Sequence, residues 1–427
     1  MEVAKEHKQR AIAVGIWDGN TSFSEESLKE LVELIEVAGA EVVATMTQQV
    51  HKYSAGTLMG RGKLEELSRA VEDLEADLVV VDQELSGMQM RNISDACDCF
   101  VLDRTGMVLD IFALRAKSRA GKLQVLLGQL IYRKNRLIGA KNFSRQSGGI
   151  GSRGPGEQKL ELDRRHIHQQ IRRVEEKLKA MEKVRDTTRK GRDSHGLPKI
   201  ALIGYTNSGK SSLMNRMLSE GESSGSAVYV EDQVFASLDP DTRLIHYPGG
   251  YKVYVTDTVG FISNLPTQLI KAFASTMEEV ADADVWIHVL DGSSKRAQLA
   301  YDTTRALLRE ISPVAKPTLL LVNKADQLEQ VPLPLEKGRE LTHYGSVKYD
   351  ENFDEFYGAL SELLAPFFVE GTFLVPYDAQ EVYYALNRLY SLSEVEYRSE
   401  GIFFSGRVSR WALEKYREYR VNDVSNH

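Results

Sequence analysis

The residues Gly204-Tyr205-Thr206-Asn207-Ser208-Gly209-Lys210-Ser211 carry the spacing of a loop that wraps phosphate. Its glycines let backbone N–H groups turn inward around β- and γ-phosphates, the Lys210 ammonium neutralises their charge, and the Ser211 hydroxyl can ligate Mg²⁺. Ser212 extends the same contact surface. Glycine-rich turns also arise for purely structural reasons. Here KIALIG before the turn has the pattern of a buried strand and SSLMNRML after it that of a helix, which is the context the chemistry requires.

A second constellation, Asn323-Lys324-Ala325-Asp326, ends another apolar run. A fixed carboxylate such as Asp326 accepts from the N1–H and exocyclic amine of guanine, whereas adenine has no donor at N1 and would leave a buried charge unpaired. Alone, Asn-Lys-x-Asp is also an ordinary strand-ending turn; downstream of a phosphate loop it points to GTP. Ser346-Val347-Lys348 follows at a distance suited to closing over the base.

Between the two motifs lies Asp257-Thr258-Val259-Gly260, after the strand-like KVYVT. A strand-ending aspartate is placed to hold a Mg²⁺ water, and Gly260 admits a backbone N–H to the γ-phosphate. Lys210, Asp257 and Gly260 are thus the candidate catalytic residues. The segment Phe235-Ala236-Ser237-Leu238-Asp239 lies where a mobile loop completes the metal shell with a hydroxyl. Ser237 is the nominee and Thr242 its rival. Phe261 comes directly after Gly260, where many GTPases place a water-orienting glutamine. An aromatic ring cannot do that, so slow intrinsic hydrolysis is expected. Asn207 resembles the asparagine with which potassium-activated GTPases help hold K⁺ beside the phosphates.

These motifs need a scaffold, and 427 residues with ordinary globular composition predict two to four domains. Cys97 and Cys99 are too few for a disulfide framework and read as apolar fillers at a strand start. The N-terminus lacks an apolar signal core and no run approaches a membrane span, so a cytoplasmic protein is expected, and a monomer. Net charge is −7, yet residues 115–192 hold 22 Lys or Arg against 7 Asp or Glu. Such asymmetry predicts a basic element that docks on a polyanion. A merely solvated face usually mixes signs.

The predicted architecture is multidomain α/β. Residues 1–120 alternate AIAVGI, EVVAT, DLVVV and CFVLD, read as buried strands, with amphipathic helices, giving an open, largely parallel α/β domain with Ser24 as an N-cap. Gly60-Arg61-Gly62-Lys63 opens one of those helices, more as a tight turn than as a nucleotide site. Residues 121–196 form a basic antiparallel helical hairpin. One helix face carries Leu123, Leu126, Leu127, Leu130 and Leu137; the other carries Ile167, Ile171, Val174, Leu178 and Met181 at coiled-coil spacing. The glycine-rich stretch 147–156 joins them, and with Arg145, Arg153, Lys159, Arg164 and Arg165 it suits folded RNA. Residues 197–367 are the P-loop GTPase domain, a mixed sheet flanked by helices, and 368–427 a small α+β domain.

The run Arg104 to Phe112, Gly121 to Val125, the loop GGIGSRGPGE with Asp163-Arg164-Arg165, GYTNSGKS, and DQVFASLDP followed by DTVGFISNLP together resemble the HflX GTPases. The resemblance covers most of residues 57–348. It implies a GTPase that binds the large ribosomal subunit and its rRNA and, with GTP, separates stalled or idle ribosomes, its hydrolysis stimulated by that subunit. It also implies that Gly204 to Ser211 bind the phosphates of GTP or GDP, that Ser211 and Ser237 ligate Mg²⁺, and that Phe235–Asp239 and Asp257–Gly260 are the two switches. Asn323–Asp326 and Ser346–Lys348 are then the guanine reader. Ser237 stands where the family usually has threonine. A rival reading is an RNA-remodelling ATPase with a second nucleotide site in the first domain; no second phosphate loop with lysine and serine supports it.

Overall fold

The computed structural model describes residues 8–19, 25–138, 155–193, 196–220, 241–247, 251–261, 274–294, 296–312, 314–328, 341–349 and 353–421. The chain divides into two compact units, one holding roughly the first 181 residues and the other most of the rest.

The first unit begins with β1 (Arg10–Trp17), α1 (Glu25–Val37), β2 (Glu41–Gln49), α2 (Arg61–Asp73), β3 (Leu78–Val81), α3 (Gly87–Cys97), β4 (Phe100–Asp103) and α4 (Arg104–Arg115). All neighbouring strands are parallel, in the order β2-β1-β3-β4. β3 is buried throughout, as is β1 apart from its two terminal residues, because helices cover both faces. β2 departs from its expected burial: it is the edge of the sheet and most of its residues are partly exposed. Cys97 also departs, closing α3 rather than starting a strand. Ser24 lies outside the described residues.

Two long helices follow, α5 (Arg119–Ile138) and α6 (Pro155–Asp193). Leu127, Leu130, Ile171 and Val174 are buried together, flanked by Leu123, Ile131, Ile167 and Leu178. Positions i, i+4 and i+7 from Leu123 make the seam; Leu126, expected on it, is 41% exposed because it sits at the solvent edge of that stripe. Buried Asp103 ties α5 to the sheet. Its carboxylate accepts from Leu85 N (2.9 Å), Gly106 N (2.9 Å), Tyr132 Oη (2.8 Å) and the Arg136 guanidinium.

The second unit runs β5 (Lys199–Ile203), α7 (Lys210–Glu220), β6 (Asp241–Tyr247), β7 (Tyr251–Asp257), α8 (Ala274–Asp282), β8 (Val285–Asp291), α9 (Ala297–Ile311), β9 (Thr318–Asn323), β10 (Leu341–Tyr344) and α10 (Asp354–Leu364). The sheet order is β10-β9-β8-β5-β7-β6, antiparallel only between β6 and β7. Then come β11 (Phe368–Val375), α11 (Glu381–Leu389), β12 (Leu392–Arg398), β13 (Gly401–Ser409) and α12 (Arg410–Lys415), with an antiparallel sheet β11-β13-β12. Ile200, Leu213 and Phe356 share one buried cluster with Phe373 and Phe404, so this last layer packs on the nucleotide-type sheet without a break in the core. Among the described residues no helix is long and apolar enough to cross a membrane.

Candidate nucleotide site

Strands β5, β7, β8 and β9 run parallel, so their C-terminal ends gather the loops that follow them at one edge. Gly204, Asp257, Asp291 and Asn323 all stand at that edge. The turn 204–209 leads into α7, whose first residue is Lys210. A helix N-terminus presents unpaired N–H groups and the positive end of its dipole there.

Local geometry explains the composition of the turn. Asn207 and Gly209 have left-handed backbones, φ +59° and +99°, and a Cβ on Gly209 would lie 2.2 Å from Asn323 Nδ2. Only glycine fits there. Buried Lys210 donates to the carbonyls of Gly204 (3.1 Å) and Tyr205 (2.6 Å). Burial pushes its pKa down to about 8, against an upward pull from Asp257. Ser208 is buried, and its Oγ has no hydrogen-bond partner among the described residues. Gly204 and Thr206 are held by the chain beyond Gly260: Phe261 N donates to Gly204 O (3.0 Å), and Thr206 N to Phe261 O (2.8 Å). Ser212 follows on α7.

Asp257 ends β7, an interior strand, so it is not the turn residue of an exposed sheet edge. It is fully buried and accepts from Ser211 Oγ at 2.6 Å. Thr258 Oγ1 donates to Leu202 O (2.5 Å), and Val259 is buried beside it. A Cβ on Gly260 would come within 2.9 Å of Lys210 Nζ, which shows how closely that backbone approaches the ammonium. The paired hydroxyl and carboxylate of Ser211 and Asp257 are oxygen donors of the kind Mg²⁺ selects, so the residues present fit that ion. Thr242, the rival metal ligand, is committed to β6 and shares a hydrogen bond with Thr256 Oγ1 (2.9 Å). Phe235, Ala236, Ser237, Leu238 and Asp239 lie outside the described residues, as do Arg145 and Arg153.

Asn323 joins three segments. Its Nδ2 donates to Ser208 O (2.8 Å) and its Oδ1 accepts from Val347 N (2.9 Å). Lys324 has φ +61° and its ammonium meets Asp291 at 2.6 Å. Ala325 and Asp326 form the short turn after it, Asp326 exposed. Ser346 and Val347 are buried, and Lys348 is exposed beside the Tyr349 ring. The sequence therefore placed Gly204–Ser212, Asp257–Gly260, Asn323–Asp326 and Ser346–Lys348 on segments that the fold does bring to one edge.

Two residues of this edge were missed. Arg216 on α7 donates to Ser346 O (3.3 Å) and Val347 O (3.1 Å) and stacks on Phe353, fixing the loop after β10. Asp291 holds Lys324. A polar residue ending an apolar strand was the available signal for Asp291, the same one that marked Asp257 and Asn323.

On the second face of this sheet, Phe261 is buried with Ala201, Ile203, Trp286 and Leu308. It is a core residue with no polar atom to offer a water. His288 is also fully buried, stacked on Tyr301 at 5.5 Å, and burial, Arg305 and Lys210 push its pKa down to about 3.

Comparison with known proteins converges on these three regions. Residues 25–113 match the family described as GTP-binding GTPase N-terminal, 115–192 the GTP-binding GTPase Middle Region, and 199–324 the 50S ribosome-binding GTPase. The chain is 40% identical over 423 residues to the GTPase HflX of Caldanaerobacter subterraneus subsp. tengcongensis, covering 99% of this chain and 96% of that one. It is 40% identical over 316 residues to the GTPase HflX of Escherichia coli (strain K12), covering 74% and 73%. A solved structure, "crystal structure of SsGBP and GDP complex", aligns with TM-score 0.47 at 21% identity over 84% of this chain and 99% of that one. With a near full-length relative at that identity, the chain belongs to the HflX family of GTPases and is an enzyme that hydrolyses GTP.

Proposed function

We propose that this GTPase binds the large ribosomal subunit and its rRNA through the basic hairpin and, in its GTP state, promotes dissociation of stalled or idle ribosomes. One observation carries the reading: on α6 the apolar residues Ile171 and Val174 are buried while Arg164, Arg165, Arg172, Arg173, Lys177 and Lys179 are exposed. The inner face of this helix is satisfied by its neighbour, and its outer face sets six exposed cations against three exposed acids, Asp163, Glu175 and Glu176, an excess of positive charge that suits phosphates. The RNA contacts proposed from the sequence also include Lys159, Arg145 and Arg153, whose side chains lie outside the described residues. The match of residues 199–324 to a region described as 50S ribosome-binding supports the choice of polyanion.

In this reading the turn 204–212, with Lys210, holds the phosphates of GTP or GDP, and Asn323–Asp326 with Ser346–Lys348 read guanine. Ser211 and Asp257, joined by Ser237, would hold Mg²⁺, which neutralises charge on the phosphates. Gly260 offers its N–H to the γ-phosphate, and Asn207 is the group that would help hold K⁺. Phe261 leaves the attacking water without an orienting side chain, so the ribosome supplies the missing positioning and turnover is low without it. A monomer working in the cytoplasm fits this role.

The test is GTP turnover and co-sedimentation with purified large subunits. Turnover should rise on adding subunits, and co-sedimentation should strengthen with a non-hydrolysable GTP analogue and weaken with salt. Equal turnover with and without subunits, together with nucleotide-independent sedimentation, would contradict it. ATP-dependent unwinding of free RNA would favour the rival activity instead.

A further inference from the structure

The loop after β8 contributes to the base side of the site. Asp291 ends β8 directly opposite Asn323 in the parallel register. Its Oδ2 accepts from Lys324 Nζ at 2.6 Å. Its Oδ1 accepts from Ser293 N (3.0 Å) and Ser293 Oγ (2.6 Å). The backbone reinforces the link, since Gly292 N donates to Asn323 O at 2.9 Å. Both oxygens of one carboxylate are thus used, one to fix the carboxylate and one to fix the lysine. The Asp291 and Lys324 side chains are 22% and 28% exposed, sheltered enough for their attraction to survive screening.

Lys324 needs such an anchor. Its backbone is left-handed, which aims its Cβ away from the line of the strand, and a lysine stem has four rotatable bonds. Left alone, the stem would sample solvent, and ordering it would fall to the ligand at the moment of binding. Held at its tip by Asp291, the stem has far fewer conformations to lose when a ligand binds.

We propose that Asp291 is a positioning residue for the guanine nucleotide, acting through Lys324 by fixing the lysine stem as one wall of the base pocket. This rests on the reading of Asn323–Asp326 as the base site. Because the base is common to both nucleotides, the effect is equal on GTP and GDP and falls on binding rather than on the chemical step. An ordinary loop-knitting ion pair would instead lower thermal stability and leave affinity alone.

The experiment uses the full chain and fluorescent GDP and GTP analogues. Asp291→Asn should weaken both nucleotides by about fivefold to tenfold, the size of one half-sheltered ion pair. KM for GTP should rise in parallel while kcat at saturation changes less than about twofold. Asp291→Glu should recover most of the affinity, and Ser293→Ala, a milder loosening of the carboxylate, should weaken binding about twofold. In a Lys324→Met background, Asp291→Asn should have almost no further effect.

Unchanged affinity in Asp291→Asn, or a full effect that persists in Lys324→Met, overturns the inference. So does a fall in kcat with KM unchanged. The base-site reading is checked separately by Asp326→Asn with GTP and xanthosine triphosphate. If base preference does not move there, both readings fall; if it moves while Asp291→Asn is silent, only this one does.

Discussion

The sheet of residues 10–103 and the sheet of residues 199–344 both present the C-terminal ends of parallel strands to a set of loops, and the two ends are finished with opposite chemistry. In the first, the order β2-β1-β3-β4 places the reversal between β1 and β3, the usual location of a ligand crevice. Among the described residues near these strand ends is a buried network of the chain's own charges. The Arg104 guanidinium reaches Asp82 (2.6 Å) and Glu30 (2.8 Å), and Ser27 Oγ donates to Asp82 (2.6 Å), with Arg104, Asp82 and Glu30 all buried. Two carboxylates share one arginine, so that guanidinium is already committed within the protein. In the second sheet the same edge carries a glycine turn, a helix N-terminus and Lys210, whose ammonium is received by neutral carbonyls and is held below its ordinary pKa by burial. The second edge is the one expected to take an anion. A parallel sheet supplies the crevice, and a few side chains decide whether it becomes a ligand site or a structural ion network.

The largest effect expected is on that contrast. Lys210→Ala should lower GTP affinity by about 100-fold or more, since it removes charge-assisted bonds to phosphates. Arg104→Ala should leave GTP affinity within about twofold but destabilise the first unit by about 3–5 kcal/mol, because two buried carboxylates lose their partner. Nucleotide titrations paired with thermal unfolding separate the two outcomes; a folded Arg104→Ala that cannot bind GTP would erase the distinction.

Next in size, Asp326→Asn should shift preference from GTP toward xanthosine triphosphate by about 100-fold, because a carboxamide pairs with the base oxygen that a carboxylate rejects. Competition binding reads this directly, and unchanged selectivity would remove Asp326 from the base site.

A smaller effect follows from protonation of Lys210. In the nucleotide-free protein its pKa is about 8, lowered by burial, while phosphates favour the charged form. Above pH 8 binding must therefore take up a proton, and affinity should fall about tenfold per pH unit until the bound-state pKa is reached. Calorimetry in buffers of different ionisation enthalpy measures the uptake; constant affinity from pH 7 to 9.5 contradicts it.

The mildest concerns His288, buried and neutral with a pKa near 3. The unfolded chain takes up that proton below about pH 6.5, so stability of the second unit should decline between pH 6.5 and 3, by up to a few kcal/mol. His288→Phe should flatten that part of the profile, as followed by denaturant unfolding.

How much of this was readable from the residues alone depends on how locally each feature is encoded. The turn 204–211 was legible because a phosphate-wrapping loop calls for glycine, lysine and serine within eight consecutive positions. The hairpin seam was legible through its period from Leu123 to Leu130 and from Ile167 to Leu178, whereas Leu126 at the margin of the stripe faces solvent and Leu137 and Met181 are only partly buried and outside that cluster. Burial of β2 was misjudged because an edge and an interior strand can share the same apolar run, and only the sheet order tells them apart. The Arg104 network, the grip of Arg216 on the 346–347 loop and the Asp291 to Lys324 bond join residues far apart in sequence. No local pattern announces them; topology creates them.

One crevice is expected to take nucleotide, and the other, beside the buried Arg104 network, is expected to take none. Equilibrium dialysis of radiolabelled GTP and ATP against the intact chain and its Lys210→Ala variant counts the sites. The expected result is one GTP per chain, displaced by GDP and not by ATP, and none in the variant. Two nucleotides per chain, or one retained by Lys210→Ala, would contradict it.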